Sequence, residues 1–316
     1  MTEYPALEFS VITPYLKIAR FDHWFKNVFV LPGVIVAVYL DSSLLKSSLI
    51  LDLLIALLAT GFIASSNYII NEILDAPKDA LHPVKKFRPV PSGQINIKIG
   101  YVLWIVFLLI GLGFASYFGS AFFWIALLLW VMGCIYNIPP VRSKDKPYID
   151  VLSEAVNNPI RLLLGWYATG ISLVPPISLV FAYWMIGAYF MAAKRFGEYR
   201  MIGDKKVAGD YRNSFKYYNE ERLIGSLIYY LGGFGLFFGI FLIRYRMELI
   251  LSIPLIAGFT AWYFHLACKE DSPVQYPEKL YKESYFFGFT LAVFIIMICL
   301  VIVDLPWLYE LFPATV

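Results

Sequence analysis

The stretch Asn71-Glu72-Ile73-Leu74-Asp75-Ala76-Pro77-Lys78-Asp79 closes a long apolar run, 48–72, and is followed by Lys85, Lys86 and Arg88. The run is long enough to cross a bilayer as one helix. Carboxylates in register at the end of such a helix are costly unless something cationic binds them. Their oxygens are hard donors of the kind magnesium accepts. The nearby bases are donor-only groups that match phosphate oxygens. Together these residue types describe a site for a magnesium diphosphate at the membrane surface.

Composition places that site in lipid. Of 316 residues, 59% are hydrophobic and 16% charged, more apolar surface than a soluble domain of this length could hide. Nine apolar segments, each near the length of about 20 residues that a membrane helix needs, run over 22–41, 48–72, 98–118, 120–138, 149–170, 174–193, 223–244, 249–268 and 284–303. The expected fold is therefore an all-α polytopic membrane protein with nine transmembrane helices. Met1-Thr2-Glu3-Tyr4-Pro5 has neither a basic start nor a cleavage site, so no signal peptide is expected. Cys134, Cys268 and Cys299 all lie in apolar runs and read as packing residues. Gly235-xxx-Gly239 has the spacing that lets helix backbones approach closely.

Lys and Arg give the orientation. With the N-terminus in the cytoplasm, 22 of the 26 fall on the cytoplasmic side. Lys46, Arg244 and Arg246 fall opposite, and Arg161 lies within a span. This predicts a single integral-membrane domain over 1–316 in the plasma or inner membrane. Segments 73–97 and 194–222 would be cytoplasmic loops over the active site.

Helix geometry sharpens the opening motif. Asn71, Asp75 and Asp79 are spaced i, i+4, i+8, and Glu72, Asp75 and Asp79 are spaced i, i+3, i+7. Either set falls on one stripe and could hold a magnesium ion with positions left for phosphate oxygens. Pro77 is expected to loosen the helix near residue 76, placing Asp79 on an irregular turn. A helix end that merely dips polar groups in water remains the bland alternative. Lys85 and Arg88 are phosphate candidates, although the positive-inside bias alone would also put them there. His82 reads as a hydrogen-bonding loop residue.

In the fifth segment Asp150, Glu154, Asn157 and Arg161 lie on one helical face, with Asn158 beside them. A polar stripe at that depth should face a water-filled cavity or partners, and Pro159 should break the backbone ladder there. Arg161 would face Asp75 or a phosphate; a self-paired Glu154–Arg161 contact is the alternative. Ala193-Lys194-Arg195-Phe196-Gly197-Glu198-Tyr199-Arg200 ends the sixth segment, where Lys194 and Glu198, one turn apart, could be an ordinary surface pair. Lys26 and Asn27 are weaker phosphate candidates beside the interfacial Trp24 and Phe25. No P-loop, HExxH, GxSxG or Cys/His cluster is present, and nothing suggests nucleic-acid binding.

Nine helices with Asn71-xxx-Asp75-xxx-Asp79 after the second resemble the UbiA superfamily of intramembrane prenyltransferases. The finer resemblance is to its decaprenyl-phosphate phosphoribosyltransferase branch. It rests on Trp24-Phe25-Lys26-Asn27, Asn71 to Asp79, His82-Pro83-Val84-Lys85-Lys86-Phe87-Arg88-Pro89, Arg161 with Gly165, and Ala193 to Glu198. Typical prenyltransferases of the superfamily carry a second aspartate-rich motif where this chain reads Lys194-Arg195-Phe196-Gly197-Glu198-Tyr199. Glu72 stands where that branch has Asp, and Glu154-Ala155-Val156-Asn157-Asn158 is more polar than its pattern.

The resemblance implies helices around a central cavity open to the cytoplasm. It also implies magnesium-dependent transfer of 5-phosphoribose from 5-phosphoribosyl 1-diphosphate (PRPP) to a polyprenyl phosphate in the bilayer, with release of diphosphate. The Mg2+ ligands would be Asn71, Glu72, Asp75 and Asp79, with Asp75, Asp79 and Arg161 as the catalytic set. Substrate contacts would come from Lys26, Asn27, Lys85, Arg88, Lys194, Arg195 and Glu198, with Tyr136 and Lys144 as further candidates. Prenyl transfer from a prenyl diphosphate to an aromatic or lipid acceptor is the alternative on the same scaffold, and a transporter is a more distant one. A homo-oligomer is left open.

Overall fold

The computed structural model describes residues 9–80 and 84–312. His82, expected as a loop residue, lies outside them. Every regular element among the described residues is helical. The first part of the chain builds α1 (Phe9–Lys17), a 3-10 segment (Phe21–Val30), α2 (Leu31–Leu40) and α3 (Leu49–Asp79). It continues with α4 (Ile97–Ala115), α5 (Ser120–Asn137), α6 (Ile149–Ala155) and α7 (Asn157–Ala168). The second part builds α8 (Ile177–Ile202), α9 (Lys205–Tyr211), α10 (Glu220–Tyr245), α11 (Ile253–Ala267), α12 (Ser284–Ile302) and α13 (Pro306–Leu311). These fall into two compact units, Met1–Leu173 and Val174–Val316.

Among the described residues, eight helical stretches are long and apolar enough to cross a membrane. The expected span 149–170 is not one of them, because it is two shorter helices meeting at Val156. Pro159 sits in the first turn of α7, where its missing N–H would have had no helical partner, so a fresh start there is favourable. The break expected at this proline is present. Segment 194–222 is largely helical, with α8 running on to Ile202 before α9 begins; in 73–97, α3 runs on to Asp79 and a 3-10 turn covers Lys85–Phe87.

Pro77 does not loosen α3. The helix runs regularly through it to Asp79, and Ala80 N–H donates to the Ala76 carbonyl at 2.9 Å. A proline this close to a C-terminus removes one ladder bond and leaves the last turn intact.

Two neighbouring stripes of α3 organise the first unit. Positions 61, 65, 72 and 79 face the 3-10 segment and the chain after Val84. Trp24 stacks over Gly61 and donates its indole N–H to Ser65 Oγ at 2.9 Å. Positions 67, 71 and 75 face α5 and the chain beyond it. There Asn67 donates to the Leu129 carbonyl at 2.9 Å. A core of Ala56, Ala59, Ile63, Phe122, Ala126, Leu129, Ile160 and Leu164 locks α3, α5 and α7 together. Between helices in a bilayer such a core acts through close van der Waals packing rather than through removal of apolar surface from water.

The close backbone approach expected at Gly235 and Gly239 is absent, since a methyl group at either would meet open space. Close approach occurs between the 3-10 segment, α2 and α7 instead. A Cβ on Gly165 would lie 1.9 Å from the Val30 carbonyl oxygen, and one on Gly33 2.0 Å from that of Leu162. Helix α12 buries only 11% of its central window within the protein, as a lipid-facing helix should.

In the second unit, Arg246 is buried and donates to the Leu300 carbonyl (3.0 Å), the Val303 carbonyl (2.6 Å) and Asp304 (2.6 Å). It also pairs with Glu248 at 3.2 Å. Its guanidinium caps the free carbonyls at the end of α12. This structural duty accounts for one of the few bases that break the charge bias along the chain.

Candidate functional site

Asn71 and Asp75 are one turn apart on α3, and the second stripe carries them into a cluster of polar groups in the first unit. The Asp75 carboxylate accepts from Lys144 Nζ at 2.7 Å and Arg142 Nη2 at 2.8 Å through Oδ1, and from Asn71 Nδ2 at 3.2 Å through Oδ2. Asn137 Oδ1, at the end of α5, accepts from Asn71 Nδ2 at 2.6 Å and Lys144 Nζ at 2.8 Å. Arg142 uses its whole fork, donating also to Asp145 (3.1 Å) and the Asn137 carbonyl (3.2 Å). Its backbone is left-handed (φ 31°), a conformation that side chains other than glycine adopt rarely and that clusters at functional sites. Lys144 is buried and lies 5.8 Å from the Tyr136 ring. Tyr136 in turn donates to Glu154 at 2.7 Å.

The other carboxylates of the motif take a different direction. Glu72 and Asp79 are seven residues apart, nearly eclipsed along the helix, and both belong to the first stripe. Glu72 is buried, accepting from Arg20 at 3.3 Å and from the Val90 N–H at 3.1 Å. Asp79 pairs with Arg88 at 2.5 Å. The four candidate metal ligands therefore lie on two adjacent stripes, with Asn71 and Asp75 brought together. Among the described residues, no group of three or more His, Cys, Asp and Glu could hold a metal ion. The donor chemistry nevertheless fits magnesium arriving with a phosphate ligand. Asn71, Asn137 and Asp75 present hard oxygens within a few ångströms, and bases stand beside them for the phosphate.

Arg161, buried, donates to Asn27 Oδ1 at 3.3 Å and to the Asn157 carbonyl at 3.2 Å. Lys26 lies 5.9 Å from the Tyr68 ring. Lys85 is half-buried in a 3-10 turn, Lys85–Phe87. In the second unit, Arg195 is buried near the end of α8 and pairs with Glu198 at 3.5 Å, and Glu198 also faces Arg212 at 3.7 Å. Lys194 is half-buried on the same helix.

Sequence reasoning missed Arg142, Asn137 and Arg20. Arg142 looked like one more base in a basic loop, and only its place after Asn137-Ile138-Pro139-Pro140 hinted at a fixed turn.

Comparison with known proteins matches residues 28–291 to the UbiA prenyltransferase family. The decaprenyl-phosphate phosphoribosyltransferase of Corynebacterium glutamicum is 29% identical over 170 residues, 53% of this chain and 50% of that protein. Its namesake from Mycobacterium tuberculosis is 25% identical over 188 residues, 58% of this chain and 59% of the other. A protoheme IX farnesyltransferase of Leptospira biflexa is 26% identical over 151 residues, 46% and 51% of the two chains. The chain thus spans about half the length of the curated relatives it matches. Among solved structures, a UbiA homolog from Archaeoglobus fulgidus bound to DMAPP and Mg2+ superposes with a TM-score of 0.68 at 22% identity, covering 88% of this chain and 98% of that one. A digeranylgeranylglyceryl phosphate synthase superposes with a TM-score of 0.62 at 18% identity, over 92% and 97%. Family match and shared helical fold agree: this chain belongs to the UbiA prenyltransferase family.

Proposed function

We propose that the protein is a magnesium-dependent phosphoribosyltransferase that moves 5-phosphoribose from PRPP to a polyprenyl phosphate. The observation that carries this reading is the end of α8, which places the buried Arg195 beside Glu198, with Lys194 preceding it, where a second aspartate-rich motif would serve a prenyl diphosphate. Kinship with phosphoribosyltransferases from Corynebacterium and Mycobacterium supports it.

The chemistry asks little of side chains as acids or bases. A phosphate oxygen of the lipid attacks C1 of the ribose, the C1–O bond to diphosphate breaks, and the electron pair leaves on diphosphate. The attacking phosphate is already ionised near neutral pH, so no general base is needed. What remains is positioning and charge stabilisation. Asp75 and Asn71 would hold magnesium, with Glu72 and Asp79 as further acids of the motif. When bound, magnesium neutralises charge on the departing diphosphate. Lys144 and Arg142, fixed by Asp75, would supply positive charge beside the phosphate oxygens. Arg161 with Asn27, and Lys26, Lys85, Arg88, Lys194 and Arg195, would bind further phosphate oxygens. Tyr136 and Glu198 would orient these bases. We place the reaction on the cytoplasmic side, where the basic segments of the chain concentrate.

A second reading keeps the scaffold and changes the donor to a prenyl diphosphate. The fold neighbours bound to DMAPP or GPP with Mg2+ favour it. Purified protein given PRPP and magnesium should release diphosphate only when polyprenyl phosphate is present, with labelled ribose appearing in the lipid phase. Consumption of a prenyl diphosphate with PRPP untouched would establish the second reading.

A further inference from the structure

A pocket of about 550 Å³ in the first unit lies beside the α3 terminus, on the stripe that turns away from Asn71 and Asp75. Thr13, Leu16 and Lys17 of α1, Arg20 at the following turn, Glu72 of α3 and Arg88 line it. The buried acid of its lining, Glu72, is spent; the other, Asp22, is exposed and faces His23 at 3.7 Å; the bases keep donors in reserve. Both Glu72 oxygens are engaged, by Arg20 and by the Val90 N–H, and Asp79 is engaged by Arg88. Arg20 spends only Nη2 on Glu72 and Arg88 only Nη1 on Asp79. Their other N–H groups meet no protein acceptor among the described residues, and Lys17 makes no side-chain hydrogen bond or ion pair there. Three bases thus bring free donors to one concavity, and Arg88 bears on Arg20 as a like charge. Arg20 is held there in left-handed backbone, φ 49°, a conformation that packing must enforce and that gathers at ligand sites.

The surroundings say what kind of anion belongs in it. Two of its lining residues, Leu16 on α1 and Phe21, are exposed apolar side chains, and Ile12, one turn before Leu16 on α1, is exposed as well. Helix α1 ends in Lys17 and has a strongly apolar face, the pattern of a helix lying in a membrane interface. The pocket also sits level with the last turns of a helix long enough to cross the bilayer. Donors inside and apolar rims outside suit a ligand with a phosphate at one end and hydrocarbon at the other.

We propose that this pocket binds the phosphate headgroup of a membrane lipid, whose chain lies against Ile12, Leu16 and Phe21. Basic pockets beside membrane helices recognise lipid phosphates in this way, and each Lys or Arg contributes about 1 kcal/mol, a factor of about five in affinity. The inference does not rest on the identity of the donor.

The test uses full-length protein in phosphatidylcholine nanodiscs, without magnesium or PRPP, so that its outcome is independent of turnover. Polyprenyl phosphate, phosphatidylglycerol and inorganic phosphate are titrated separately, and bound lipid per protein is read by native mass spectrometry. Lys17→Gln should weaken binding of the lipid phosphates about fivefold, and Lys17→Arg should restore it. Lys17 is exposed and, among the described residues, has no hydrogen-bond or ion-pair partner, so neither variant threatens folding. Preference for polyprenyl phosphate would identify the occupant as the acceptor, and parity with phosphatidylglycerol would identify it as bilayer lipid. Either supports the proposal. Binding unchanged by Lys17→Gln would overturn it, as would inorganic phosphate binding as tightly as the lipids.

Discussion

Asp75 concentrates more charge chemistry than any other residue of the opening motif. One oxygen accepts from both Lys144 and Arg142, and the other accepts from Asn71. Asp75→Asn keeps the shape and removes the charge. Turnover should fall about 10²–10³-fold, the cost of losing one preorganised electrostatic contact in an active site, while the size-exclusion profile stays that of the wild type. Activity within a few-fold of wild type would remove Asp75 from the site. Arg142 makes a separate case, because its three donor atoms meet three different acceptors, a geometry a lysine cannot copy. Arg142→Lys should therefore cost about 10–100-fold in kcat/KM, matching the 1.5–3 kcal/mol of charge-assisted hydrogen bonds. Asn71 and Asp75 were legible in the sequence because a four-residue spacing on a helix places them together with no knowledge of the rest of the chain. Arg142 and Asn137 were not, since they reach the same point across 67 and 66 residues of chain. Glu72 shows the opposite limit. Its type suggested a metal ligand, and its partners within the protein, Arg20 and the Val90 N–H, are ones that no local spacing reveals.

Helix contacts separate glycines that pack from glycines that merely occur. Gly165 has the Val30 carbonyl where its Cβ would go, so Gly165→Ala must push α7 away from the 3-10 segment. Overpacking of this kind costs about 1–3 kcal/mol, and the thermal midpoint in detergent should drop by several degrees. Gly235→Ala meets open space and should leave the midpoint unchanged or raise it slightly, since Ala is the better helix former by about 0.5–1 kcal/mol. Equal effects at the two positions would contradict the packing described. Arg246 provides the corresponding test in the second unit. Arg246→Ala strips Glu248, which is itself buried, of its counter-charge and uncaps α12. A loss of about 3–5 kcal/mol in stability is expected. Spacing alone drew attention to Gly235 and Gly239, but which glycine meets a neighbour depends on helix pairing. The break between α6 and α7 was readable, because Pro159 imposes it locally. The unbroken run of α3 through Pro77 was not, because it depends on how near the helix end lies.

At the scale of the whole molecule, apolar segments and the bias of bases to alternate loops gave an all-helical membrane fold, and the family match bears that out. Hydropathy is a one-dimensional property, so it survives without tertiary knowledge. The division into two compact units had no such signal, because it depends on contacts between distant helices. The proposed function rests on the polar cluster around Asp75 in the first unit and on the basic end of α8 in the second, and its most specific element is the donor. Equilibrium binding of PRPP to the full-length protein in nanodiscs, with and without magnesium, tests it most directly. The account predicts binding that needs magnesium, that is about 100-fold weaker in Asp75→Asn, and that a prenyl diphosphate does not displace. Displacement of PRPP by a prenyl diphosphate at lower concentration, or PRPP affinity indifferent to both magnesium and Asp75, would contradict it.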